Sequence, residues 1–332
     1  MAIDNFNATG FNRNILRTVE ARGGKMRKSC QLATGDLYRE KGIYPRILGG
    51  GRPTQITNRF PDSPTSEASY ENRSVTRTDY HDGQYADRQD LDRMAVDPRS
   101  EKLDIMLQKF RREEDLMIQE AMLSATAQGG ALGATDVPFG NGLTNSNIIA
   151  VGLGAAAGYT YAGFTYEKLT STIQTLSDNN VDIATLTPHI YISGPQLNNI
   201  LNDDKFINKD YINNSLVQNG WAGIAGYMGC DWTITNILPF ATSAAGTTFN
   251  IDKSLDVSSA GIWQDTDTSY TRLVIATVPG STLFEVKPEI ITKVSERGDK
   301  SYRWYAYMEM GFGAVRMEEE KVIAIPCSEN PS

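Results

Sequence analysis

Residues 97–128, DPRSEKLDIMLQKFRREEDLMIQEAMLSATAQ, contain the longest periodic pattern in this chain of 332 residues. Asp97 can accept hydrogen bonds from the free amides of a first helical turn, and Pro98 suits the first helical position. Apolar side chains recur at helical spacing and form one stripe: Leu103, Met106, Leu107, Phe110, Met117 and Ala121. The glycine pair 129–130 ends the pattern. The stretch therefore predicts an amphipathic helix over residues 98–128, which would be about 46 Å long and could act as a spine.

The segment before this helix, residues 49–97, has too few apolar residues to form a core of its own. These are Ile56, Phe60, Ala68, Tyr70, Val75, Tyr80, Tyr85, Ala86, Leu91, Met94, Ala95 and Val96. Residues 73–80 are rich in β-forming side chains, and Pro61 and Pro64 indicate a turn. One interpretation is a long two-stranded hairpin that needs a partner surface, because an isolated hairpin is marginally stable in water. The other is a loop without regular structure.

The region after the spine predicts shorter elements. A second amphipathic helix follows Thr165 and ends at residues 179–180. Residues 189–193 predict a strand, and Gly194 and Pro195 start a short helix.

The last part of the chain, residues 281–327, has the pattern of strands. Residues 302–310 and 322–325 predict two of them. The glycine-containing stretch 311–314 is expected to break the pattern between the two.

Charge is unevenly distributed along the chain, whose formal net charge is −8. The first 60 residues contain eleven lysines and arginines against four acids, so they carry +7 and the remainder carries −15. A basic arm on an acidic body can dock onto acidic neighbouring proteins or onto nucleic acid. It can also be a solvated tail, and composition alone leaves these alternatives open.

The best match to an enzyme motif is residues 148–157, IIAVGLGAAA, in which G-x-G-x-x-A follows an apolar run. Dinucleotide binding requires a helix to begin at these glycines and to receive the pyrophosphate at its N-terminus. The next residues, GYTYAG, form helices poorly. We therefore expect a glycine-rich turn, in which Gly152, Gly154 and Gly158 serve backbone geometry.

No catalytic, cofactor-binding or metal-binding residues are predicted. The two histidines, His81 and His189, and the three cysteines, Cys30, Cys230 and Cys327, lack zinc-ligand spacing. An odd number of scattered cysteines fits a reducing compartment better than a disulfide framework. No apolar run approaches the roughly 18 residues that span a bilayer, and the N-terminus has no secretory signal pattern.

The order of the elements resembles that of tailed-bacteriophage major capsid proteins with the Hong Kong 97 fold. Residues 97–98 with 110–115 are similar to the start of the spine helix in that family, and residues 169–176 with 179–182 to the helix before its axial domain. The other passages are 190–193, the glycines at 220, 223 and 226, the "N-x-L-P" portion at 235–239, and the closing strands at 313–317 and 321–325. Each passage is degenerate alone, and the joint order over residues 97–327 supports the resemblance.

The resemblance implies an α+β subunit with five parts. They would be an N-terminal arm at 1–48, an extended β-hairpin loop at 49–97, a peripheral domain at 98–188 that includes the spine helix at 98–128, an axial domain at 189–280, and the second part of the peripheral domain at 281–327.

The implied function is structural and involves neither catalysis nor a cofactor. The subunit would self-assemble as hexamers and pentamers into an icosahedral shell around phage double-stranded DNA, located in the virion and assembled in the host cytoplasm. Its partners would be its own copies, portal, scaffold and decoration proteins, and DNA without sequence specificity, but no membrane. The alternatives are an encapsulin-like compartment shell and, from another class, an α/β nucleotide-binding enzyme that uses Gly152 to Ala157.

Three expectations depend on this architecture. The extended loop would lie on a neighbouring subunit, so a deletion of residues 54–92 would leave a soluble subunit that forms no shells. The basic arm would contact other subunits or the genome, so truncation of residues 2–40 would reduce assembly. The lysine–asparagine cross-link of some family members is not expected, because no lysine lies between Lys41 and Lys102.

Overall fold

The computed structural model describes residues 23–33, 41–48, 53, 55–59, 69–86, 99–126, 136–139, 147–155, 162–203, 206, 226–239, 271–286 and 291–329. Within these ranges, three α-helices and eleven strands form one packed body with a protruding hairpin. This mixture of helices and largely antiparallel sheets confirms the predicted α+β class.

The first sheet has the strand order β1 (Gln31–Leu32), β8 (Thr282–Val286), β10 (Arg303–Arg316), β4 (Thr78–Ala86), and β9 (Ile291–Arg297) also pairs with β10. The second sheet has the order β11 (Val322–Ser328), β7 (Thr271–Thr277), β5 (His189–Ile192), β6 (Asp231–Ile234). The hairpin consists of β2 (Lys41–Leu48) and β3 (Ser69–Thr76). The three helices are α1 (Arg99–Leu123), α2 (Tyr166–Asp178) and α3 (Gly194–Asn202).

Helix α1 is the predicted spine, and its buried face includes Met106 and Phe110. It ends at Leu123, so the predicted end at residue 128 is wrong. The last carbonyls of a helix lack partners within the helix. Here the Arg316 guanidinium, which comes from β10, donates to the carbonyls of Met122 and Ser124, each at 2.7 Å. The chain then turns away and forms an isolated bridge at Thr126.

The second sheet is buried on both faces. Side chains at alternate positions of its strands point to opposite faces, as in any strand. Val274, Ala276, Ile323 and Ile325 pack in one cluster with α2 and α3. Leu273, Ile275, Val322 and Ala324 pack in another with α1 and the first sheet. The second sheet therefore lies between α2 and α3 on one side and α1 with the first sheet on the other.

Strand β10 runs without interruption through Gly311 and Gly313, so the break predicted at residues 311–314 is wrong. A Cβ added to Gly313 would lie 2.7 Å from the Val75 side chain and 2.7 Å from a backbone oxygen. A Cβ at Gly311 would collide with the Asp79 carboxylate. The two glycines therefore allow β3 and β4 to pass close to β10, which is one of the uses of glycine inside a strand.

Packing crosses the predicted domain division at several places. Strand β11, assigned to the peripheral domain, pairs along its whole length with β7, assigned to the axial domain. Helix α2 packs on the same sheet. Strand β2 lies before the boundary predicted at residue 48, yet it forms the hairpin with β3. The division into arm, loop, peripheral and axial domains stays a prediction, and the hairpin begins earlier than that division assumed.

Candidate functional site

The hairpin of β2 and β3 exposes large apolar side chains. Its register pairs Lys41 with Thr76 and Leu48 with Ser69. Ile43 is 57% exposed and Tyr70 is 71% exposed, and Ile56, between the two strands, is 77% exposed. The chain thus forms a two-stranded hairpin, but its first strand precedes residues 49–97, where the excursion was predicted, and the predicted turn at residues 61–64 lies outside the described residues. An exposed apolar surface on a projecting hairpin favours contact with a partner.

The chain returns to the body directly after the hairpin. Arg77 alone separates β3 from β4, and β4 pairs with β10 from Thr78 to Ala86. Val75 and Ala86 are both buried. A deletion of residues 54–92 would remove β3 and also β4, a strand of the first sheet, so we no longer expect it to leave a soluble subunit.

A group of buried charges joins the hairpin base to the body. Arg73, Arg316 and Glu319 are each at most 3% exposed. Arg316 Nε donates to Glu319 Oε2 at 2.6 Å, and Arg73 Nη2 lies 3.9 Å from Glu319 Oε1 and 3.3 Å from Glu71 Oε2. Burial lowers the pKa of Arg316, and its ion pair with Glu319 opposes that shift. We call Arg73, Arg316 and Glu319 the base triad.

A second ion pair lies beside the base triad. Arg46 on β2 pairs with Glu320 on the body at 3.3 Å and with Glu71 on the hairpin at 3.9 Å. Both strands of the hairpin are therefore tied by charge to the segment between β10 and β11.

Residues 23–33 of the basic arm are docked on the body of the same subunit. Met26 is fully buried in the cluster that also contains residues of α1 and β8. The Asp115 carboxylate on α1 accepts hydrogen bonds from the backbone amides of Lys25 at 3.2 Å and Met26 at 3.0 Å. Burial raises the pKa of Asp115, while these amides and the Lys25 ammonium oppose the shift. We call residues 23–33 the N-terminal strap.

Charges of the strap are neutralised within the subunit. Lys28 pairs with Asp231 at 2.7 Å, and Arg27 lies 4.0 Å from Glu114. Lys25 Nζ donates to the Ile234 carbonyl at 2.7 Å. Part of the +7 charge of the first 60 residues is therefore neutralised by acidic residues of the same subunit. Truncation of residues 2–40 would remove a core residue, so it cannot serve as a test of assembly alone.

Residues 151–154 of the glycine motif form a turn. Ile149 donates its amide to the carbonyl of Ala324 on β11 at 3.0 Å. Gly154 has a φ of +78°, and a Cβ there would lie 2.5 Å from Thr165 Oγ1. Helix α2 begins only at Tyr166, after the capping residue Thr165. Gly154 thus serves backbone geometry as expected, whereas Gly158 lies outside the described residues.

The other candidates for chemistry are dispersed. His81 is on β4 of the first sheet, and His189 is on β5 of the second, where it contacts Asp231 at 2.9 Å. Burial raises the pKa of the Cys230 and Cys327 thiols to about 11, so both stay protonated at neutral pH. No cluster of His, Cys, Asp and Glu suited to a metal ion occurs in the described ranges, and no helix there is long and apolar enough to cross a membrane.

Comparison with known proteins agrees with this fold. The solved capsid structure of the cyanophage P-SCSP1u matches with a TM-score of 0.66 at 12% identity, covering 98% of this chain and 94% of that chain. The capsid of Ralstonia phage GP4 matches with a TM-score of 0.60 at 12% identity, covering 96% and 94%. The capsid of a native GTA particle matches with a TM-score of 0.59 at 12% identity, covering 98% and 97%.

These structures support the fold, and the sequence itself supports the family. A search of curated proteins finds no significant match. The family described as phage capsid protein matches residues 3–329, which is nearly the whole chain. The resemblance to tailed-phage major capsid proteins with the Hong Kong 97 fold is thereby confirmed. This chain belongs to the phage capsid protein family.

Proposed function

We propose that this capsid subunit assembles with its own copies through head-to-tail contacts into hexamers and pentamers, which close into an icosahedral shell around double-stranded DNA. Head-to-tail interfaces generate closed rings when the rotation between subunits closes. Portal, scaffold and decoration proteins would complete the particle. The subunit would take no part in catalysis, and assembly would occur in the host cytoplasm before the protein becomes part of the virion.

The observation that carries the proposal is the exposed apolar surface of the hairpin. Ile43 and Tyr70 are mostly exposed, although the hairpin base is anchored in the body through Val75. Burial of a large apolar side chain contributes about 1.5–3 kcal/mol relative to full exposure. A neighbouring subunit that covers these side chains would gain this contribution at every contact in a ring, and a shell repeats that contact many times.

The proposal is tested by shortening the hairpin without touching the body. Residues 49–68 are replaced by Asn-Gly, because Leu48 pairs with Ser69 and a two-residue turn of that sequence can join the ends of two paired antiparallel strands. Unlike the deletion of residues 54–92, this variant keeps β2, β3 and β4. Size-exclusion chromatography should give shells for the unchanged chain and folded subunits or small oligomers for the variant.

Single substitutions distinguish the loss of the apolar contact with a neighbouring subunit from the loss of loop length. Ile43→Ser and Tyr70→Ser remove apolar groups from the hairpin face, and Val294→Ser removes one from β9, where Val294 is 49% exposed. We expect the two hairpin variants to reduce the yield of shells and the β9 variant to leave it unchanged. Normal shells from the Ile43→Ser and Tyr70→Ser variants as well as from the shortened hairpin would contradict the proposal. DNA inside particles recovered from the host distinguishes a virion from an encapsulin-like compartment.

A further inference from the structure

The hairpin is attached to the body through a narrow connection. Arg77 is the only residue between β3, which pairs with β2, and β4, which pairs with β10. The apolar anchor is a small cluster of three buried residues, Val75, Leu283 and Val315, against which the partly buried Ala33, Tyr44 and Met317 pack. A hairpin that projects from so small an apolar contact needs further contacts to keep one orientation relative to the body. The base triad supplies such contacts.

The base triad connects the hairpin to the end of the spine helix. Arg73 on β3 faces Glu319, and Glu319 holds Arg316 at 2.6 Å. The same Arg316 donates to the carbonyls of Met122 and Ser124 at the end of α1. Glu319 therefore lies between the hairpin arginine, which also pairs with Glu71 of its own strand, and the arginine that caps the spine helix.

The energetics of the base triad argue against a role in stability alone. The 3.9 Å separation of Arg73 and Glu319 is too long for a hydrogen bond. Among the described residues, Arg73 Nε, Arg73 Nη1 and Glu319 Oε1 are buried without a hydrogen-bond partner. Buried ion pairs of this kind are often no more stabilising than apolar side chains of the same size, because desolvation offsets their attraction. Apolar side chains at the same positions would attach the hairpin to the body without the free energy of desolvating charged groups.

The opposite face of the hairpin base borders open space. Ser74 and Thr76 line a cleft of about 220 Å³ together with Glu120 and Ser124 at the end of α1, and with Val315 and Arg316 of β10. Arg73 and Val75 point to the other face, toward the triad and the small apolar cluster. The body thus holds β3 on the face of Arg73 and Val75 and leaves room beside Ser74 and Thr76, in a cleft that Arg316 also lines.

We propose that Glu319, held between Arg316 and Arg73, is a positioning residue that sets the direction of the hairpin relative to α1 and so aims its apolar face at the neighbouring subunit. This inference rests on the proposed function, because it assumes that the hairpin reaches a neighbour. The charges of the base triad orient the hairpin, because the apolar cluster around Val75 is too small to fix its orientation alone. Loss of the carboxylate removes the negative charge between Arg316 and Arg73 and leaves Arg73 paired with Glu71 of its own strand, so that the hairpin base moves into the cleft.

The test compares Glu319→Gln with Glu318→Gln, the same substitution at the adjacent, more exposed carboxylate, which pairs with Lys321. Hydrogen exchange is measured on unassembled subunits. In Glu319→Gln, amides of β3 should exchange about tenfold faster or more, as in a segment that opens on its own, while amides of β7 stay protected. Glu318→Gln should leave both unchanged. Equal acceleration in β3 and β7, or none in β3, would overturn the proposal.

Assembly provides a second readout. Glu319→Gln should raise the protein concentration needed for shell formation, and Glu319→Asp should restore part of the loss because it keeps the charge. If Glu319→Gln assembles as the unchanged chain does, the positioning role is refuted while the proposed function stands. If the unchanged chain forms no shells, the proposed function fails, and the hydrogen-exchange comparison still decides whether Glu319 orients the hairpin.

Discussion

The N-terminal strap predicts that part of the basic arm stabilises the subunit itself. The perturbation is Met26→Ala, because Met26 is fully buried between α1 and the sheets. Both backbone hydrogen bonds to Asp115 remain possible in the variant, so only packing is lost. Substitution of a buried methionine by alanine costs about 2–5 kcal/mol, which combines lost transfer energy with the cavity left behind.

The assay is urea unfolding of the unassembled subunit, with tryptophan fluorescence as the signal that monitors unfolding. The matched control is Met228→Ala, because Met228 is 41% exposed and its truncation should change the free energy of unfolding by about 0.5 kcal/mol or less. Truncation through residue 33 should lower the midpoint further than truncation through residue 22, since only the former removes the strap. A Met26→Ala midpoint equal to that of the control would refute the cis role of the strap.

The other predictions concern backbone geometry and covalent chemistry. Gly154→Val should lower thermal stability by about 1–3 kcal/mol, because Gly154 has a positive φ and faces Thr165 closely; calorimetry measures this, and an unchanged melting temperature would contradict it. Titration calorimetry of the unchanged chain with nicotinamide or flavin nucleotides should show no binding, and a micromolar dissociation constant would overturn the structural role of the motif. Gly313→Ala should destabilise the subunit through contact with Val75, which a normal thermal melt would disprove. Mature particles boiled in detergent and reductant should run as one band near 36.6 kDa, because the stretch between Lys41 and Lys102 offers no lysine for a cross-link, and ladders of linked rings would refute this.

Elements with strong local signals were predictable from the sequence. Helix α2 starts after Thr165, whose side chain accepts a hydrogen bond from the amide of Lys168. Helix α3 starts at Gly194, and Ser193 with Gln196 forms a capping box before it. In both cases the deciding contacts lie within three residues of each other, so the sequence pattern contains them.

Errors arose where a distant residue decides a local feature. The end of α1 depends on Arg316, which is far away in the chain and donates to the Met122 carbonyl. The glycines of β10 suggested a break, but their role is to admit Val75 and Asp79 from other strands. Neither relationship is visible in a window of neighbouring residues.

The buried charges were missed for the same reason. Asp115 lies in the charged run 111–115 on α1, which has the composition of a solvated face, yet it is 1% exposed because the strap covers it. Arg73 stands among polar residues in a segment with few apolar side chains, and no sequence signal marks it as buried. The exposed hairpin, by contrast, was predictable, because a segment that cannot form its own core has to find one elsewhere.

The most direct test of assembly through the hairpin is a reconstruction of the particle by electron cryomicroscopy. The account predicts a closed shell in which each hairpin lies against the next subunit, with Ile43 and Tyr70 buried in that interface. Hairpins whose Ile43 and Tyr70 stay exposed to solvent in a closed shell, or are covered by their own subunit, would contradict it.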